Sequence, residues 1–251
     1  SRGLGDVYKR QPVMVGRALG AVAALRRPAV RPSERLSPRS AEKDVRLLKG
    51  AFDVADKALR GLRERASAIG LGREAQFLAT YGEILEDARF RERATELAAK
   101  GVGVAQALSQ VARDVTRTAV AFTRDPFLEE RARDIEDLCD ALTMLADIDR
   151  RSVLPSKALL VGDTLTVFDL LVSARSQPAG VALSERGSGP RTRALLKLLN
   201  VPAVVEVKGL FRWASDGDIA LLDGDHGLLV INPSKGEMAS LREQRRSGKD
   251  G

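Results

Sequence analysis

Residues 187–205 read Gly-Ser-Gly-Pro-Arg-Thr-Arg-Ala-Leu-Leu-Lys-Leu-Leu-Asn-Val-Pro-Ala-Val-Val. This is the pattern of a Gly-rich loop, a short helix and a buried strand. Gly187 and Gly189 give a flexible turn, and Pro190 suits the first helical position, where no amide donor is needed. Ala194, Leu195, Leu198 and Leu199 recur at helical spacing. Asn200 suits the helix end, and Pro202 marks the exit into Ala203-Val204-Val205. Free amides at such a helix start favour an anion. The same pattern also suits an ordinary loop–helix–strand unit of an α/β domain.

The rest of the composition fits that class. A chain of 251 residues suffices for one large domain or two small ones. Aromatic residues make up only 4%, so the core must be mainly Leu, Val and Ala, which suits helix packing. A formal net charge of +7 permits nucleic-acid contact without arguing for it. The single cysteine, Cys139, excludes an intramolecular disulfide and suits a reducing compartment. It falls on a helical pattern and reads as a small core residue. No apolar run reaches membrane-spanning length, and no signal peptide is seen.

Working outward towards the N-terminus, residues 42–69 carry the clearest helix, with Val45, Leu48, Phe52, Ala55, Leu59, Leu62, Ala66 and Ile69 at alternating steps of three and four. Gly70 and Gly72 stop it. A helix over 74–88 follows, with Phe77, Tyr81, Ile84, Leu85 and Ala88 on one stripe. Further helices are expected over 90–99, 104–122 and 127–148, the last capped by Asp125-Pro126. Short loops make these an antiparallel helical bundle. Residues 26–41 are rich in Pro, Arg and Ser and read as a linker. Their basic excess lacks interleaved aromatics, so a solvated linker is favoured over nucleic-acid contact. Pro12 to Leu19 reads as a short strand. Residues 1–11 look like the in-frame translation of a transposase-type sequencing adapter, with a genuine flexible N-terminus as the alternative.

Beyond residue 150 the periodicity changes. Strands are expected at Ala158–Val161 and Gly180–Leu183, with a helix over 167–176 between them. Gly217 to Asn232, turning at Gly224-Asp225-His226-Gly227, is a hairpin signal. His226, the only histidine, reads as a solvent-exposed turn residue. One histidine and one cysteine supply too few ligands for a metal cluster.

The stretch at 187–205 resembles the phosphohistidine (swivelling) domain of phosphoenolpyruvate-utilising enzymes. Their signature is G-G-x-T-S-H, then a helix, then a strand reading I-P-A-V-V-G. Val201-Pro202-Ala203-Val204-Val205 keeps the strand half, and the phosphorylated histidine falls on Arg191. Only the second signature glycine, Gly187, survives, and Thr-Ser-His has become Gly189-Pro190-Arg191. Other segments narrow the resemblance to Enzyme I of the bacterial phosphotransferase system. Pro12–Leu19 is similar to its opening G-I-A-x-G-x-A. Phe77–Asp87 resembles its F-x-x-H-x-x-L-x-D helix, with Tyr81 where a histidine is usual. Glu130–Leu138 resembles E-R-A-x-D-I-x-D and keeps every fixed residue. Asp163–Asp169 stands where the family has D-L-T-P-S-E-T, and Gly217 to Pro233 resembles its G-D-x-x-x-L-D…V-x-V-N-P ending.

The resemblance implies an α/β swivelling phosphohistidine-type domain with an inserted all-α helical bundle. Residues 12–25 and 149–235 would form the swivelling domain, 42–148 the bundle, and 236–251 a linker towards a C-terminal barrel that has no counterpart here. It implies a bacterial cytoplasmic protein that docks a histidine phosphocarrier protein through Tyr81, Ile84, Leu85 and Arg131. Gly187, Ser188, Gly189, Arg191, Thr192 and Arg193 would be the phosphate-loop candidates. No catalytic residue is intact, because arginine stays protonated and is a poor nucleophile. No cofactor is expected in this chain, since magnesium belongs to the family's barrel. The family dimerises through that barrel, so a monomer is expected. The other reading is a basic nucleic-acid- or protein-binding module on a degenerate swivelling fold.

Overall fold

The computed structural model describes residues 7–9, 11–25, 40–122, 126–147 and 156–247. The expected linker thus lies almost wholly outside the described residues. The chain divides into two compact units, one of residues 1–26, 154–165 and 176–251, the other of 27–153 and 166–175.

The first unit is a curled mixed sheet. Its strands are β1 (Val7–Lys9), β2 (Gln11–Met14), β3 (Arg17–Ala24), β4 (Leu159–Gly162), β5 (Gly180–Leu183), β6 (Ala203–Val205), β7 (Ile219–Asp223) and β8 (Leu228–Ile231). The spatial order is β1-β8-β7-β3-β4-β5-β6-β2. β3 is the hinge between two halves, pairing parallel with β4 and antiparallel with β7. The parallel half, β3-β4-β5-β6, reads as continuous apolar runs, as strands covered on both faces require. One core gathers Ala18, Val22, Leu159, Val161, Ala182, Val204, Leu222 and Leu229. β1 and β2 lie on opposite edges although one residue separates them. Two Cα–Cα steps span at most about 7.6 Å, so the sheet must curl until its edges nearly meet.

The single strand expected over Pro12–Leu19 is in fact two. β2 pairs with β6, and β3 starts two residues later beside β7. The break is at Gly16, whose φ of 110° is open to glycine. Its amide donates to Asp225 Oδ1 at 2.9 Å, and its carbonyl accepts from Gly224 at 2.7 Å. A partner distant in sequence thus sets the break. β1 falls within the segment read as adapter and pairs with β8.

Helix α7 (Pro190–Leu199) connects β5 to β6 and follows the sequence closely. Gly189 is its N-cap, Pro190 opens it, and Asn200 closes it in the left-handed region at φ 53°. Two helices were not expected. α8 (Leu210–Trp213) seats Leu210 in the sheet core. α9 (Lys235–Ser247) runs through most of the segment read as a linker. Ser234 and Glu237 cap each other's amides, at 3.2 and 2.6 Å, which is the S-x-x-E capping box.

The second unit holds α1 (Ala41–Ala68), α2 (Leu78–Glu86), α3 (Ala88–Ala99), α4 (Val104–Phe122), α5 (Pro126–Ala146) and α6 (Val167–Val172). α1 packs against α2, α3 and α5, and α4 packs along α5. Ser40 caps α1, and Leu48, Phe52, Ala55, Leu59 and Ala66 are buried as the stripe requires. Ile69 departs from the expectation: it is 52% exposed, one residue past the helix end. The helix expected over 74–88 starts at Leu78 and stops at Glu86, because Asp87 turns outward and caps α3 through Arg89 N at 2.8 Å. Ala88 consequently starts α3 and is exposed rather than buried in the stripe. α6, followed by a 3₁₀ turn, packs on α5.

A Cβ on Gly224 would lie 2.1 Å from the Met14 carbonyl oxygen. Gly224→Ala must therefore push β2 from the hairpin turn, at a cost of about 1–3 kcal/mol. Urea unfolding of the variant is expected to give a lowered midpoint with an unchanged slope.

Candidate functional site

The loop before α7 is built around a close approach. Gly187 is buried, and a Cβ there would lie 2.5 Å from Leu183 Cβ and 3.0 Å from the Asp163 carbonyl. Its amide donates to Ser184 O at 3.0 Å, and Glu206 N reaches the same oxygen at 3.3 Å. The Ser184 hydroxyl donates to Asp163 Oδ1 at 2.6 Å. This buried serine and its exposed carboxylate partner were not singled out from the sequence. Asp163 does open the segment that stands in for D-L-T-P-S-E-T, which was the available signal.

The candidate loop residues separate into two groups. Thr192 is buried, and its hydroxyl donates to Leu165 O at 3.4 Å. It helps hold the loop and is turned from solvent. Arg191, Arg193 and Ser188 are half-buried, and Gly189 is exposed. Arg193 Nε donates to Ser188 O at 3.1 Å, which folds the loop over the first turn of α7. Arg191 and Arg193 thus both belong to the first turn of α7, with Arg193 bonded back to the loop. That arrangement favours an anion. It offers no imidazole or thiolate as a nucleophile.

The docking candidates lie on α2 and α5. Tyr81, Ile84 and Leu85 are all buried, at 2%, 6% and 0% exposure. The stripe that the periodicity predicted faces the core of the second unit, so these side chains cannot meet a partner directly. The Tyr81 hydroxyl bonds Asp134 Oδ1 at 3.0 Å and stands 3.5 Å from Asp137 Oδ2. It ties α2 to the helix that carries the E-R-A-x-D-I-x-D match. Arg131 is exposed and faces Glu83 at 4.0 Å, a pair of little energetic weight at such a surface. The surface above the buried stripe is therefore carried by Glu83 and Arg131, with Arg73 and Arg89 also exposed.

His226 does lie in the β7–β8 turn with its side chain 63% exposed. The ring is nevertheless held: Nδ1 is 2.9 Å from Asp223 Oδ2. The same carboxylate accepts from Arg17 Nε at 3.0 Å and from the amides of Asp225 and His226 at 2.9 and 3.1 Å. Burial works against the ionised form of Asp223. The His226 ring, the amides and Arg17 outweigh it and hold the carboxyl below its ordinary value of 3.8. Cys139 is buried in α5, and desolvation, reinforced by Asp140 and Glu136, pushes its thiol up and keeps it unreactive. Among the described residues no group of three His, Cys, Asp or Glu side chains is arranged to hold a metal ion. No described helix is long and apolar enough to cross a membrane.

The lowered Asp223 value fixes a sign. Its contribution is fully present above the unfolded value near 3.8 and is lost as pH falls through the lower folded value. Asp223→Asn should cost about 1–3 kcal/mol near neutral pH. The difference between variant and parent should shrink on acidification below that range, as read by urea unfolding across pH.

Residues 11–131 match the family described as PEP-utilising enzyme, N-terminal. The phosphoenolpyruvate-protein phosphotransferase of Geobacillus stearothermophilus is 25% identical over 220 residues, covering 86% of this chain and 38% of that protein. The multiphosphoryl transfer protein of Xanthomonas campestris pv. campestris is 29% identical over 177 residues, covering 67% of this chain and 21% of that protein. The chain thus spans less than two fifths of the length of these relatives. The solved N-terminal domain of Enzyme 1 - Nitrogen superposes with a TM-score of 0.73 at 22% identity, over 96% of this chain and 99% of that one. A solution structure of an Enzyme I protein gives 0.56 at 18% identity, over the same shares. Residues 11–131 are thus similar to the N-terminal domain of the PEP-utilising enzymes, and the chain resembles the N-terminal half of phosphotransferase-system Enzyme I.

Proposed function

We propose that this chain is a degenerate phosphoryl-relay and phosphocarrier-docking half of an Enzyme I-like bacterial cytoplasmic protein, one that engages a partner without carrying phosphate. The observation that carries this reading is the occupant of the acceptor position. Loop, helix α7 and strand β6 keep the expected order, and Arg191 stands where the family's histidine would be. A relay residue must attack a phosphoryl group and later release it, which neutral imidazole does near neutral pH. A guanidinium stays protonated and does neither. The residues that remain suit reversible anion binding, with Arg191 and Arg193 in the first turn of α7.

In this reading residues 12–25 and 149–235 form the swivelling domain, and the helices over 42–148 form the inserted docking bundle. The chemistry is tested with radiolabelled phosphoenolpyruvate, a family barrel domain and magnesium. The chain is expected to stay unlabelled, and Arg191→His alone should restore little, because Gly189 and Pro190 have replaced the flanking hydroxyl residues. Acid-labile, base-stable label on the unaltered chain would sink the inactive reading.

Docking is tested separately by chemical-shift mapping against a histidine phosphocarrier protein. Perturbations should centre on Glu83 and Arg131. Binding should be weak for a basic carrier, because the exposed Arg73, Arg89 and Arg131 oppose like charge. Perturbations confined to the β-sheet unit would move the docking site elsewhere.

A further inference from the structure

We draw no further inference here: the strongest candidate, the Arg17–Asp223–His226 side-chain cluster where the β7–β8 turn meets the start of β3, carries nothing, because its hydrogen bonds are those that fasten the turn to β3 and nothing in the structure shows what the exposed imidazole would meet.

Discussion

Strand β3 has no neighbour from its own part of the chain. Its backbone groups must pair, and they pair with residues 159–161 on one side and 219–223 on the other. Everything in the first unit follows from that demand. The chain has to return after the helices to supply β4, and return again to supply the β7–β8 hairpin. The face that β3 turns to the core carries Ala18 and Val22, small residues that let the sheet curl tightly over Leu222 and Leu229. Asp223 then locks the start of β3, because one carboxylate holds Arg17, two turn amides and the His226 ring. Contacts so distant in sequence pay their loop-closure entropy before they are rewarded, so this unit should fold later than the helices, whose contacts are more local.

Where structure is set by neighbours in sequence, the chain was legible. Helix α7 has a glycine before its first turn, a proline at its start and an asparagine at its end, and each does what its chemistry dictates. The β7–β8 hairpin and the seam of α1 were equally plain. Where a distant partner decides, the reading failed. Pro12 to Leu19 reads as one strand, and the capture of Gly16 by Asp225 divides it. The docking residues illustrate a different limit. Tyr81, Ile84 and Leu85 lie on a stripe whose period already announced burial, while the family resemblance suggested a partner surface, and the core took them. The α9 capping box stands in the sequence as Ser234-Lys235-Gly236-Glu237, a local signal in a segment that the family resemblance reads as a linker.

The loop before α7 separates two kinds of constraint that a motif runs together. Gly187 is required by packing: with Leu183 and the Asp163 carbonyl so close, no side chain fits. Position 191 is half-buried and imposes no comparable steric demand, so a long cationic side chain is accommodated there. Backbone geometry and reactivity therefore rest on different atoms of this loop. Thr192 belongs with Gly187 in this respect, since its hydroxyl is directed to the Leu165 carbonyl rather than to any ligand.

The two short N-terminal strands have a further consequence. An uncovered sheet edge presents unpaired amides and carbonyls as a template for another chain. Here β1 covers the edge of β8 and β2 covers the edge of β6. Both covers are only three or four residues long, and Pro12 lacks an amide proton to offer beyond its own pairing. The sheet is thus sealed by segments too short, and on one side too proline-interrupted, to recruit a foreign strand in turn. Clipping this chain ahead of β3 would uncover β6 and β8 together, converting a self-limiting unit into one able to polymerise edge to edge.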